Sequence, residues 1–330
     1  MSGTGRRIPR FRPASGPLIA VLLYVAMYVV YGVRAPSAFT LFGITNLLDN
    51  TVVLAVAAAG LTLIVLAGEF DLSGIGVIAI ANVVVATTSG TGGLGWAGAL
   101  AIVLVIGAAI GLLNGFLVAG LGLQSLAVTI GTMIACEGVA LMILSAPGGE
   151  VADAIANGLT GDIGGVLPVA ALVITGLLAL WFLFVRTRVG IAIYAVGTDE
   201  NAALLSGLNV RATKLVAFTL AGVIYAFAGY MLSAETGSGD PRASDSFLLF
   251  MYASIAIGGT SLAGGRGGVF GSAIGAGLLT VMQKMLFALG AAEFYTNVFS
   301  GIIMLVAIFI SNFSSNFSAV LARPRWRRAA

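Results

Sequence analysis

Apolar residues run through this chain in long unbroken blocks, each closed by a short polar or glycine-rich break. The blocks last roughly 16–22 residues, which at about 1.5 Å per helical residue matches a hydrocarbon layer about 30 Å thick. Leu, Ile, Val, Ala and Gly follow one another inside them without period-two alternation, so helices are expected rather than the strands of a barrel. The pattern predicts ten spans, at 17–33, 51–68, 73–89, 97–119, 125–145, 166–185, 214–234, 247–262, 268–288 and 297–313. Glu69, Phe70 and Asp71 separate the second from the third, and the turn Gly264-Gly265-Arg266-Gly267 separates the eighth from the ninth. These four spans are the candidates to be short, broken or re-entrant. The expected fold is an all-α integral membrane bundle of about ten helices.

Composition supports this. Of 330 residues 59% are hydrophobic and 9% charged, against roughly 25% charged in a soluble domain. Backbone polar groups in lipid must be paired internally, and helices do this within one segment. Charge then orients the bundle. With the N-terminus inside, Arg6, Arg7, Arg10, Arg12, Arg186, Arg188, Arg211, Lys214, Arg266, Arg323, Arg325, Arg327 and Arg328 all face the cytoplasm, 13 of the 16 basic residues. Arg34 and Arg242 fall outside, and Lys284 sits near the end of a span. An even number of spans returns the C-terminus to the cytoplasm. The expected division is a basic tail at 1–16, one transmembrane domain at 17–313, and a second basic tail at 314–330. The basic N-terminus precedes a run of spanning length and lacks a small-residue cleavage site, so it is read as a tail and not as a signal peptide. The loops at 146–165 and 235–246 are too short to be domains.

Several chemistries are excluded or disfavoured. The chain has no His, so no Ser-His-Asp triad and no His metal site is possible, and no metal cluster is visible. Its only lysines, Lys214 and Lys284, do not follow a glycine, so the Gly-Lys-Ser/Thr loop of nucleotide hydrolysis is missing. Residues 90–95, GTGGLG, match a dinucleotide fingerprint formally but lie in a turn between spans. Cys136 is the one cysteine, so no disulfide framework exists. The Arg residues flank spans, which makes orientation and not nucleic acid the reason for the +3 charge. No catalytic residue is assigned.

The remaining polar residues are the candidates for function, because polar groups in lipid are costly. Asp71 and Ser73 suit either the capping of a helix start or a gate in the pathway. Asn82, Asn114, Gln124 and Glu137 fall in or near spans, where an interhelical hydrogen bond and a pathway role both remain open. Two ladders of glycines spaced by four, Gly107, Gly111, Gly115 and Gly267, Gly271, Gly275, predict close helix packing. The stretch from Arg186 to Lys214 is the long polar interruption, placed in the cytoplasm by the charge pattern.

Four blocks in order resemble the membrane-spanning permease of a bacterial ribose-type sugar ABC importer: AGEFDLSGIGVIAIANVVVA (67–86), GLLNGFLVAGLGLQSLAVTIGTM (111–133), TRVGIAIYAVGTDENAALLSGLNV (187–210) and AIGGTSLAGGRGGVFGSAIGA (256–276). The resemblance covers about residues 45–313. It implies a second permease chain, expected to be an identical copy. It further implies two cytoplasmic ATPase domains that bind ATP and Mg, and an extracytoplasmic solute-binding protein, with no cofactor in this chain. It also implies a multi-pass protein of the bacterial inner membrane moving a small polyhydroxylated solute. Such permeases meet the ATPase through a loop of pattern Glu-Ala-Ala-x-x-x-Gly. Asn201, Ala202, Ala203, Leu204, Leu205, Ser206 and Gly207 have that spacing, with Asn201 in place of the acid and Asp199 and Glu200 just before it. The family's Asp-Leu-Ser-Val-Gly block reads Asp71-Leu72-Ser73-Gly74-Ile75-Gly76 here. The isolated external cations Arg34 and Arg242 become candidates for contact with an acidic binding protein. The alternatives are a self-sufficient secondary carrier or channel, which needs coupling ions and no partner, and a membrane enzyme, disfavoured by the missing His and carboxylate clusters.

Overall fold

The computed structural model describes residues 15–290 together with 295, 298, 301 and 302. The arginines of both basic tails lie outside the described residues, as does the tenth expected span apart from 298, 301 and 302. In chain order the helices are α1 (Ser15–Arg34), α2 (Leu41–Leu66), α3 (Gly74–Thr88), α4 (Gly95–Gly115), α5 (Ser125–Ile143), α6 (Asp153–Leu159), α7 (Val169–Phe184), α8 (Arg188–Thr198), α9 (Glu200–Leu205), α10 (Val210–Thr236), α11 (Phe247–Ile257) and α12 (Val269–Ala288). A π turn, Phe116–Gly120, prolongs α4.

Five of these are long and apolar enough to cross a membrane: α2, α4 with its π turn, α5, α10 and α12. The pair α7 and α8, bent by 79°, makes a sixth if taken as one span. The expected spans at 17–33, 73–89 and 247–262 correspond to shorter apolar helices. Of the four spans expected to be short, α2 and α12 have 26 and 20 residues, whereas α3 and α11 have only 15 and 11. Helix α2 starts ten residues before the expected 51 because polar residues mask its first turns while still being bonded. Thr40 Oγ1 accepts the Gly43 N–H. Asn46 Oδ1 accepts from Lys284 Nζ at 2.6 Å, and Asp49 Oδ2 from the Gly161 N–H at 3.1 Å. Among the described residues the structure also departs from all-α in a two-stranded hairpin of β1 (Asp162–Ile163) and β2 (Leu167–Pro168) and in one isolated β-bridge.

Helix α10 is central and packs against α2, α3 and α4. The first glycine ladder explains its closest neighbour. A Cβ on Gly107 or Gly111 would overlap the carbonyl of Gly222 or Phe218 on α10, so the two backbones touch. Gly271 and Gly275 do the same for α12 against Gly258 and Ser254 at the end of α11. Gly267 does not belong to that ladder. It lies before α12 with φ +123°, folded against Thr260, where the turn demands a conformation only glycine takes easily.

The connections sort to two ends. At one, the Gly265 N–H donates to the Leu66 carbonyl, joining the turn after α11 to the end of α2. At the other, Gly148 and Gly239 pair as an antiparallel bridge and the Glu150 N–H donates to the Ala86 carbonyl, tying the two larger loops together. The GTGGLG stretch is the α3–α4 turn at this second end.

Helix α4 against α10 should be intolerant of a single methyl group. Gly222→Ala is expected to cost about 1–3 kcal/mol through overpacking, visible as a lowered thermal unfolding midpoint in detergent. Gly138→Ala, on α5 with open space where its Cβ would lie, should leave the midpoint unchanged or raise it.

Candidate functional site

Between α2 and α3 the helical hydrogen-bond ladder stops, and residues 67–73 run in irregular backbone from exposed Gly68 and Phe70 to buried Asp71 and Ser73. Every amide in this break is nevertheless paired. The Ala67, Gly68 and Glu69 N–H groups reach back to carbonyls of α2. The Phe70 N–H donates to Ser125 Oγ at 3.3 Å, Asp71 to the Tyr252 hydroxyl at 3.2 Å, and Leu72 to Thr129 Oγ1 at 3.1 Å. Ser73 donates to Asp71 Oδ1 at 2.8 Å. The Tyr252 hydroxyl returns a bond to the Asp71 carbonyl. Side chains of α5 and α11 thus replace the missing helix, as the low-dielectric surroundings require.

Three of the six pathway or gating candidates come together here. Asp71, 2% exposed, accepts both the Ser73 N–H and, at 2.6 Å, the Ser73 hydroxyl. Asn114 Nδ2 donates to Ser73 Oγ at 2.9 Å, and Thr132 Oγ1 donates to Asn114 Oδ1 at 2.6 Å. The chain Thr132–Asn114–Ser73–Asp71 therefore links α5, α4 and the start of α3. Asp71 holds Ser73, the residue before α3, without bonding an amide of the helix itself, and Asn114 bonds between helices.

The other three lie elsewhere. Asn82, fully buried, binds Ser233 Oγ and the Ser238 carbonyl through Nδ2, and its Oδ1 accepts the Asp240 N–H at 2.6 Å. It anchors the 235–246 loop. Gln124 is exposed in the turn before α5, and Glu137 is half-buried on α5 and no part of the bonded chain. Missed from the sequence were Ser125, Thr129 and Thr132. Their spacing of four and three puts them on one helical face, which is the signal that finds them.

The polar stretch 186–214 is mostly helix and not loop. Thr187 ends α7 in extended backbone and caps α8 by accepting the Gly190 N–H, which makes the 79° bend. Arg186 lies 3.7 Å over the Phe182 ring. Asp199 Oδ1 accepts the Ala202 N–H at 2.9 Å and caps α9. Gly207, at φ +82°, closes α9, with the Leu208 N–H donating to the Ala203 carbonyl as in a Schellman ending. Between α8 and α9 lies a cleft of ≈ 510 Å³ that Tyr194, Asp199, Ala202 and Ser206 help to line. Ala203 is buried against the bundle, while Leu204 and Leu205 point outward, 61% and 89% exposed.

Of the two cations expected outside, Arg34 ends α1 and is exposed. Arg242 is exposed as well, and its backbone N–H donates to Asp240 Oδ1. Among the described residues neither forms an ion pair within 4 Å. At the neighbouring Asp245, burial raises the carboxyl above its ordinary pKa, while the Arg242 charge opposes the rise.

Comparison with known proteins fits this architecture. Residues 43–308 match the family described as branched-chain amino acid transport system / permease component. The ribose import permease protein RbsC of Escherichia coli (strain K12) is 33% identical over 303 residues, covering 89% of this chain and 92% of the relative. The fructose import permease protein FrcC of Rhizobium meliloti is 30% identical, covering 93% and 87%. The D-allose transport system permease protein AlsC of Escherichia coli (strain K12) is 31% identical, covering 84% and 86%. No solved structure matches the chain.

Because Thr129 is the acceptor for an amide with no other partner, Thr129→Val should leave the Leu72 N–H unsatisfied. The expected loss is about 1–3 kcal/mol, read as a lower unfolding midpoint in detergent. Thr175→Val, whose hydroxyl is exposed and bonds only within its own helix, should change nothing.

Proposed function

The chain belongs to the ribose-type permeases of ABC transporters, and we propose that it is the membrane-spanning half of an importer for a small sugar or related polyhydroxylated solute. The relatives named for ribose, fructose and allose support the sugar class. Energy and recognition come from outside this chain. Two ATPase domains hold ATP and Mg on the cytoplasmic side, an extracytoplasmic protein delivers the solute, and a second copy of this chain completes the pathway. Residues 17–313 make one permease domain with both termini in the cytoplasm, and 186–214 is its coupling segment. The permease itself is not an enzyme.

The observation that carries this reading is the presentation of α9. A six-residue helix turns two leucines away from the bundle, Leu204 and Leu205, while its own ends are closed by Asp199 and Gly207. Apolar side chains exposed at a polar end of a membrane protein have no lipid to enter, so a protein partner is the natural cover. Ala202 and Ser206 leave the adjoining cleft open for that partner. In this reading Asn201 supplies no charge, and Glu200 is the acid of the motif. Asp71, Ser73 and Asn114 hold the gate at the α2–α3 break, Asn82 ties the external loop, and Gln124 and Glu137 are left as pathway candidates. Arg34 and Arg242 dock the binding protein.

Two variants test the assignment in cells expressing the cognate ATPase and binding protein. Leu205→Glu should abolish co-purification of the ATPase, and Gly207→Arg should abolish solute uptake, both with normal membrane insertion. Uptake at the normal rate in either would refute the coupling role. Separately, Arg242→Glu should reduce stimulation of ATP hydrolysis by the binding protein several-fold, and unchanged stimulation would remove Arg242 from the docking surface.

A further inference from the structure

Lys214, in the second turn of α10, lies between two carboxylates from different parts of the molecule. Its Nζ is 2.7 Å from Glu200 Oε2 on α9 and 2.8 Å from Glu69 Oε1 in the α2–α3 break. The side chains of Lys214 and Glu69 are 12% and 15% exposed, and Glu200 is 57% exposed. The inner link is therefore poorly screened and the outer one faces solvent. A second contact runs beside it. Gly197 near the end of α8 lies against Gly68, and the Gly265 N–H donates to the Leu66 carbonyl. Next to the ion pairs a cavity of ≈ 480 Å³ opens, with Glu69, Gln124, Glu200, Arg211 and Lys214 in its lining.

We infer that Lys214 is a positioning residue: the Glu200–Lys214–Glu69 strut carries displacement of α9 to the irregular backbone at 67–73. The physical logic lies in what the break holds. Its amides at Phe70, Asp71 and Leu72 are the bonds that fix the start of α3 against Ser125, Thr129 and Tyr252. A pull on Glu69 therefore acts within three residues of three interhelical bonds, and the adjoining cavity leaves space for the movement. Without Lys214 the two carboxylates repel across the same gap, so the link changes sign and does not merely vanish. A lysine that only neutralised local charge would have no need to join the docking helix to the irregular backbone at 67–73.

This inference rests on the coupling role of α9, and the experiment separates the two. The full complex of permease, ATPases and binding protein is reconstituted in proteoliposomes, and solute taken up per ATP hydrolysed is measured. Glu69→Gln and Lys214→Met should lower that ratio at least tenfold while the ATPases still co-purify, because docking by Leu204 and Leu205 is untouched. Lys214→Arg, and the triple exchange Glu69→Lys, Lys214→Glu, Glu200→Lys, should retain at least half of it. An unchanged ratio in Glu69→Gln overturns the strut. Should Glu69→Gln not accumulate, the exposed Glu200→Gln decides in its place: a lowered ratio supports the strut and an unchanged one overturns it. If the wild-type chain transports solute without any ATPase, the coupling role itself fails, and the strut with it.

Discussion

The rest of the molecule is arranged around seven residues, 67–73, that leave helical geometry between α2 and α3. A buried unpaired amide costs several kcal/mol; those of 67–69 reach back to α2, and those of 70–72 need partners outside it. The partners come from far along the chain: Ser125 and Thr129 on α5, and Tyr252 on α11. This single requirement fixes the rotation of α5, the depth of α11 and the starting point of α3. It also accounts for Asp71, whose carboxylate accepts the amide and hydroxyl of Ser73, the residue just before α3.

Around that break, two kinds of contact divide the labour. Close backbone packing, with glycines at Gly107, Gly111 and Gly222, sets α4 against the central α10, and the Tyr230 hydroxyl adds one bond to the Trp96 carbonyl at the start of α4. Dispersion rather than a hydrophobic drive holds such an interface in lipid, and it strengthens steeply as the backbones approach. Polar side chains are instead concentrated where the chain is irregular or reaches an end. Asn82 holds the 235–246 loop through the Asp240 amide, Lys284 and Asn46 join α12 to α2, and Lys214 joins α9 and α10 to the break. The bundle is thus packed backbone to backbone through its middle, with these side-chain links placed towards its ends.

Much of this was legible beforehand, and the exceptions have physical reasons. The apolar blocks located most helices, but the start of α2 was hidden because Asn46, Asp49 and Asn50 lower the local hydropathy while being bonded in place. The stretch 186–214 was seen as polar, with a short docking helix at Asn201–Gly207, but the rest of it was read as a loop where α8 and the start of α10 lie. Amphipathic helices at an aqueous boundary carry charge on one face, and hydropathy averages that away. Gly267 shared the spacing of its ladder by coincidence, since a turn residue with positive φ and a packing glycine are the same letter.

The sequence by itself determined the lipid setting, the family, the absence of an ATP-hydrolysing loop and the candidate docking helix, because these depend on composition and on residues close together in the chain. Only the tertiary structure decided which polar residues act together. Asp71 meets Asn114 across 43 positions through Ser73, Leu72 meets Thr129 across 57, and Glu69 meets Lys214 across 145. Such pairings are set by helix rotation and depth, which come from packing between whole elements, and no local pattern of residues records them.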